Sequence, residues 1–172
     1  MNYKEILNHI QAFILDVDGV LTNGTVHIAH DGELLRSMNI KDGYALKRAI
    51  DAGYQVCIIS GGKNEAVKKR LNGLGIKQVY LGIENKVEVL EQLAKEYKLN
   101  LNQMAYMGDD IPDVSPMQRV GLPTCPQDAV PEVKSIAKYI SHKNGGQGCV
   151  RDLIEQVMKV QNKWIKIDQH AN

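Results

Sequence analysis

The stretch Phe13 to Thr22, FILDVDGVLT, constrains this 172-residue chain more than any other. Its first residues, Phe13-Ile14-Leu15, form a short apolar run that reads as a buried strand. The run ends in two carboxylates, Asp16 and Asp18, followed at once by Gly19. Acids at the end of a buried strand are costly unless a cation or hydrogen bonds satisfy them. In an open α/β sheet, ligands bind outside the carboxyl ends of the strands. The pair therefore points to a cation site in which one carboxylate is left free for chemistry.

The rest of the chain alternates strand and helix around this start. A short helix is expected within Asn2 to Ile10, ahead of the first strand. TVHIAH and ELLRSMNI flank Asp31-Gly32, a hairpin signal. That hairpin would project from the carboxyl end of the first strand, covering a site or pairing with another subunit. Lys41-Asp42-Gly43 reads as a turn, with Asp42 as N-cap of the helix YALKRAIDA. YQVCIIS is a second buried strand, Gly61-Gly62 a tight turn, and Lys63 to about Leu74 a helix. QVYLG, MAYMG, VGLPTC and AKYIS are further strands. Between them lie the amphipathic helix NKVEVLEQLAKEYKL, with Val87, Leu90, Leu93, Ala94 and Tyr97 on one face, a helix across Pro112 to Arg119, and a short one after Pro131. NGGQGC then leads into a final helix, VRDLIEQVMKV. Alternation of this kind predicts an α/β, doubly wound parallel sheet. We read one domain over residues 1–172, with about 160–172 as a C-terminal tail.

Composition narrows the function. A net charge of +1 gives no reason to expect nucleic acid or an anionic membrane surface as partner. No apolar run approaches the ~20 residues that span a bilayer, and MNYKEILNHI lacks the apolar core of a signal peptide. A cytoplasmic protein is expected. Cys57, Cys125 and Cys149 are odd in number and form no CxxC pair, which speaks against disulfides and zinc. Cys57 within VCII reads as a small buried hydrophobe. With one Phe and one Trp, the core has to be built mainly from Ile, Leu, Val and Ala.

Four features fall where strands end: Asp16 with Asp18, Ser60 with Gly61, Lys86 at a helix start, and Asp109 with Asp110 and Asp113. In a parallel sheet all of them share one edge. Together they suit phosphoryl transfer. Mg2+ takes one or two carboxylates plus phosphate and water. A hydroxyl, a lysine and the N–H groups of a glycine turn cradle the remaining phosphate oxygens, and an aspartate can attack phosphorus.

In order and spacing, DVDGVLT, IISGG, the lysine of ENK and GDDIPD resemble the four motifs of the haloacid dehalogenase superfamily, in its small members without a cap domain. Over almost the whole chain the resemblance narrows to the 3-deoxy-D-manno-octulosonate 8-phosphate (KDO 8-phosphate) phosphatases. It is carried by LDVDGVLTNG, MNIKDGYAL, RLNGLGI, YMGDDIPD and NGGQGCVRDL. The resemblance implies Asp16 as nucleophile and Asp18 as general acid/base, the Asp18 carbonyl also reaching Mg2+. It further implies Ser60 and Lys86 on the transferring phosphate, Asp109 completing the metal ligands, and Asp113 acting from behind them. It also implies a homotetramer whose neighbouring hairpins and C-terminal tails close each site. Relatives carry an arginine where this chain has Gly62, followed by Lys63. Relatives acting on the nine-carbon acid phosphate (KDN 9-phosphate) carry an acid there and a lysine at the position of Gly73. Their absence favours the eight-carbon substrate, used in lipopolysaccharide precursor synthesis.

Several residues keep two readings. Asp110 either supports the metal ligands or caps a helix. Arg70 is a candidate for the sugar-acid carboxylate, which its guanidinium fork suits, whereas Lys68 and Lys69 read as a solvated helix face. His27 and His30 on the hairpin either face solvent or approach a neighbour's site; His9, His142 and His170 read as surface residues. The tail, with Trp164 and Asp168, either docks on another subunit or stays unattached. Two other functions fit parts of the pattern: a phosphatase for a different small sugar phosphate, and a non-enzymatic phospho-acceptor domain. Asp18 argues against the second, because a phospho-acceptor needs no base two residues past its aspartate.

Overall fold

The computed structural model describes residues 2–165. Asn2 caps a short helix α1 (Tyr3–Leu7), its side chain accepting from the Lys4 N–H while Glu5 returns a bond to Asn2. Strand β1 (Ala12–Leu15) follows and is buried along its whole length. Next comes the hairpin, β2 (His27–Ile28) and β3 (Leu34–Leu35), with His27 opposite Leu35 and Ile28 opposite Leu34. Its turn is wider than a two-residue one. Gly32 N–H donates to Ala29 C=O with φ +86°, so Gly32 takes the left-handed position after the turn.

Helix α2 (Ile40–Asp51), strand β4 (Gln55–Ile59), helix α3 (Glu65–Gly73) and strand β5 (Gln78–Tyr80) complete one wing of the sheet. Helix α4 (Lys86–Tyr97), strand β6 (Met104–Met107), helix α5 (Val114–Met117), strand β7 (Leu122–Cys125), helix α6 (Pro131–Ile136) and strand β8 (Tyr139–Ile140) build the other, and α7 (Cys149–Val160) is the last element among the described residues. The strands pair in parallel in the order β5-β4-β1-β6-β7-β8. This is the expected α/β, doubly wound sheet with a projecting hairpin and no separate cap domain. Chain order reverses on either side of β1, so the crevice beyond its carboxyl end is the ligand position of such sheets.

Alternation within β1 feeds both layers. Phe13 and Leu15 pack with α1, α2, α3 and α7, whereas Ala12 and Ile14 pack with α4, α5 and α6. The two cores are mostly Ile, Leu, Val and Ala, as composition required, with Met104, Met107, Met117 and Met158 filling in. Cys57, Cys125 and Cys149 are all buried free thiols. The buried stripe of α4 begins at Lys86 and continues through Leu90 and Leu93, with Val89 rather than Val87 packed against the core. A lysine thus holds a core-facing helical position.

Other boundaries moved. Asn64, not Lys63, caps α3, its side chain accepting from the Val67 N–H. The helix expected across Pro112 to Arg119 divides into a 3-10 turn, Ile111–Asp113, and the single turn of α5. Asp42 is not an N-cap of α2. That helix starts earlier, with the Asn39 side chain accepting from the N–H groups of Lys41 and Asp42. Gly43 suggested a turn, but it lies inside the helix, where a Cβ would stand 3.0 Å from Arg70 Nη2 and 3.5 Å from Leu74. Its small size lets α2 and α3 approach. Asp42, freed from capping its own helix, caps another one: it is buried and accepts from the Arg151 N–H at the start of α7 at 2.8 Å.

Burial raises the Asp42 carboxyl to about 6, against the opposing pull of the Arg151 and Gly148 N–H groups. An aspartate in the unfolded chain titrates near ~3.9. The native state therefore binds the proton more tightly, and the contribution of Asp42 to stability falls as pH rises through about 4 to 6. Asp42→Asn, which keeps a capping oxygen without the charge, is expected to flatten the urea-unfolding free energy across that range. Asp42→Ala is expected to cost about 1 kcal/mol or more at every pH.

Candidate active site

Registry across the three central strands brings the sequence motifs together. Leu15 lies opposite Ile58 and Met107, so the next residue, Asp16, emerges between the ends of β4 and β6. Its N–H still donates to Met107 C=O at 3.1 Å, while its Oδ1 accepts from the Val17 N–H at 2.7 Å. Beyond it the chain turns tightly, with the N–H groups of Val20, Leu21 and Thr22 all directed at Val17 C=O. The buried Thr22 Oγ1 ties this loop by accepting from the Gly19 and Gly24 N–H groups.

Lys86 is the hub. It is buried, and its ammonium donates to Asp113 Oδ1 at 2.7 Å and lies 3.2 Å from Asp16 Oδ2. Asp113 is fully committed: it also accepts from Tyr106 OH at 2.9 Å and, through its other oxygen, from the Asp109 N–H at 3.0 Å. The carboxylate oxygens of Asp16, Asp109 and Asp113 lie within 4.8 Å of one another. One ammonium cannot balance three carboxylates. Burial first, and Asp113 second, push Asp16 up to about 7 despite Lys86. Burial and the charge of Asp16 push Asp109 up to about 7 as well. For Lys86 burial works downward, but the two aspartates outweigh it and raise its pKa.

An oxygen-only donor set with a surplus of negative charge suits a hard divalent cation such as Mg2+. Two glycines make the room. A Cβ on Gly19, whose φ is +82°, would collide with the Asp109 carboxylate, and one on Gly108 would collide with the Asp113 side chain. Ser60, Gly61, Gly62 and Glu84 line the same cleft of about 420 Å3 as Asp16, Asp18, Lys86 and Asp109. Ser60 is buried, and its Oγ accepts from the Gly62 N–H at 3.3 Å.

Asp18 is placed differently from the other acids. Its carboxylate is not one of the three grouped together and is gripped by Arg36, with Nε donating to Oδ1 at 2.6 Å and Nη2 to Oδ2 at 3.2 Å. Asp110 caps the Ile111–Asp113 turn through an Oδ1 bond from the Ile111 N–H at 2.8 Å, and it lines the cleft. Arg70 does not line the cleft. It belongs to an adjoining groove with Glu33, Leu35, Arg36, Met38, Asn64, Ala66 and Val67. His27 and His30 are exposed on the hairpin, as are His9 and His142 at the surface. Trp164 packs edge-on against Tyr44, with Arg151 over both rings. Asp168 and His170 lie outside the described residues.

Comparison with known proteins agrees with this geometry. Residues 82–153 match the model of the haloacid dehalogenase-like hydrolase family. The chain is 36% identical over 155 residues to the 3-deoxy-D-manno-octulosonate 8-phosphate phosphatase of Salmonella typhi, an alignment covering 90% of this chain and 82% of that one. It belongs to this phosphatase family. The crystal structure of the family member from Yersinia pestis superposes with a TM-score of 0.92 at 32% identity, over 94% of this chain and 88% of the other. The member from Moraxella catarrhalis, solved with magnesium, phosphate and KDO, gives a TM-score of 0.89 at 30% identity, over 92% and 91%.

Sequence reasoning missed Arg36, Asn64 and Tyr106. Tyr106 lies within the MAYMG strand and reads there as core; only its hydroxyl, aimed at Asp113, ties it to the site. Asn64 was legible as a helix cap, but not as the donor to Leu34 C=O on the hairpin at 2.9 Å.

The charge cluster makes a metal test that needs no turnover. Mg2+ at a hundredfold excess over its Kd is expected to raise Tm by roughly 5–10 °C, and Asp109→Asn and Gly19→Ala should each remove most of that shift. With Asp16 and Asp109 held near 7, protons compete with the metal, so the shift should shrink as pH falls below 7. In metal-free protein the same two groups, raised above their unfolded value of ~3.9, should lower stability as pH rises from about 4 to 7.

Proposed function

We propose that this protein hydrolyses KDO 8-phosphate to KDO and phosphate through an aspartyl-phosphate on Asp16, in the cytoplasm, as a step of lipopolysaccharide precursor synthesis. The observation that carries the reading is the arrangement around Asp16. A carboxylate held by Lys86 opens into a cleft with a buried serine, a glycine turn and Asp109, within a chain of this phosphatase family.

Asp16 Oδ2 attacks phosphorus in line with the leaving oxygen. Lys86, Ser60 and the N–H groups of the Gly61–Gly62 turn hold the transferring phosphoryl oxygens. Asp18 gives its proton to the departing sugar oxygen, then takes one from the water that hydrolyses the acyl phosphate, the two halves of acid–base catalysis by one group. Asp16, Asp109 and the Asp18 carbonyl would hold Mg2+, which would offset the negative charge of the phosphoryl group. Asp113 fixes Lys86 and the Asp109 backbone, with Tyr106 behind it. Arg70, in the adjoining groove, serves the sugar-acid end of the substrate.

The eight-carbon substrate is favoured over KDN 9-phosphate because neither Gly62 nor Gly73 has a side chain to hold an additional hydroxyl. Nothing lies within 4 Å of a Cβ placed at Gly73. A higher kcat/KM for the eight-carbon than for the nine-carbon phosphate is the expected result, and the reverse order would overturn the assignment. Asp16→Asn is expected to lower kcat by on the order of 10^4-fold or more with the fold intact. Asp18→Asn should lose roughly 10^2- to 10^4-fold. Substantial turnover by Asp16→Asn with Mg2+ present would rule out the covalent route.

A homotetramer completes the proposal. The hairpin exposes Ile28 at 76% and Leu35 at 47%, together with Val26 and Leu34, more apolar surface than a two-stranded ribbon sustains in water. Packing hairpins against neighbouring sites covers it and brings His27 and His30 close to them. Ile28→Asp is expected to reduce the sedimentation coefficient to that of a smaller species and to lower kcat/KM; an unchanged assembly would place the interface elsewhere.

A further inference from the structure

Both oxygens of Asp18 are occupied by Arg36, the one residue touching the acid/base group that the mechanism above leaves without a task. The leaving oxygen of a phosphate ester has to reach one of those two oxygens. An incoming oxygen competes with Arg36 for that carboxyl group, and a guanidinium released from it carries its charge to another partner.

Its surroundings show where it goes. Arg36 is built into the wall between two spaces. On one side a narrow cleft contains Asp18, Ser60 and Gly62; on the other a groove of about 290 Å3 leads to Arg70. The Arg36 backbone is anchored beside this wall. The C=O of Leu34, two residues earlier, accepts from both Asn64 Nδ2 at 2.9 Å and Arg36 Nη1 at 3.1 Å, so the side chain can swing while the strand stays fixed. Gly62 provides the clearance: a Cβ there would sit 3.6 Å from Arg36 Nη2 and 3.3 Å from Asp18 Oδ2.

We propose that Arg36 is a substrate-positioning residue that rests on Asp18 in the free enzyme and transfers to the carboxylate of the bound sugar-acid phosphate, which it holds together with Arg70. The inference rests on the phosphatase reading above. The phosphoryl group is served by Lys86, Ser60 and the glycine turn, while Arg36 is bonded to Asp18, the group that meets the leaving oxygen, and opens onto the groove that holds Arg70. The part of the substrate found there is the sugar acid, whose charged group is its carboxylate. A guanidinium matches a carboxylate in bidentate fashion and exchanges one for another without a change of geometry. The same movement uncovers Asp18, so a substrate with its carboxylate in place also frees the acid/base group.

The test compares two substrates in one enzyme. For wild type, Arg36→Gln and Arg36→Lys, kcat/KM is measured with KDO 8-phosphate and with p-nitrophenyl phosphate, which has no carboxylate, and inhibition by free KDO is measured alongside. In Arg36→Gln the ratio of the two kcat/KM values is expected to fall roughly ten- to a hundredfold, the size of a lost charge-assisted contact. KDO should inhibit more weakly by a similar factor, and Arg36→Lys should lie between. A ratio unchanged in Arg36→Gln, whether both activities drop together or neither moves, overturns the proposal and leaves Arg36 as a latch on Asp18. Wild type failing to turn over either substrate would remove the phosphatase reading, and this inference with it.

Discussion

Three carboxylates and one ammonium share the carboxyl edge of this sheet, and most of the structure around them follows from that imbalance. A buried ion pair on its own is weak support for a fold, since desolvation consumes most of the Coulomb attraction. Here the surplus acid leaves two groups poised near neutrality and suits the site to a hard cation. Asp113 absorbs the Lys86 charge and orients it; Tyr106 and the Asp109 N–H fill the remaining lone pairs of Asp113. The acids that stay partly unsatisfied are Asp16 and Asp109, the ones open to the cleft.

The hairpin is tied into this arrangement as well as projecting from it. Its second strand is pinned to the α3 cap through Asn64 and to Asp18 through Arg36. The Asp18 side chain is thereby connected to the element that carries the exposed apolar surface. Any contact that moves the hairpin also moves the groups around Asp18.

What the sequence made legible and what it did not divide along a physical line. Asp16, Ser60, Lys86 and Asp109 each sit at a strand end or helix start, and a parallel sheet brings such ends to one edge, so pattern and register together place them. The apolar period of β1 and β4, alternating between two cores, was readable for the same reason. Arg36 was not, because its position depends on how a hairpin folds back, which no local periodicity encodes. Asp42 was misplaced because Lys-Asp-Gly has the chemistry of a turn. Only packing against α3 and α7 reveals that Gly43 is there for closeness and Asp42 for a helix more than a hundred residues further on. Arg70 reads from its chemistry as a candidate for an acid group, but its place in a groove beside the cleft depends on tertiary packing.

The glycine-rich loop before α7 has one more consequence. Cβ atoms at Gly145 and Gly146 would run into the backbone of Gly19, Thr22 and Asn23; instead the Gly146 N–H donates to Val20 C=O at 2.9 Å, and the Cys149 thiol reaches the same carbonyl. The loop that follows Asp16 is thus braced by the segment leading into α7, and α7 is in turn started by Asp42. During synthesis on the ribosome, Asp16 and Asp18 emerge more than a hundred residues before the brace that shapes their loop. Over that stretch a nascent chain carries the acidic pair without the finished loop around it. A product truncated before the NGGQGC loop would keep both aspartates and lack the brace around them.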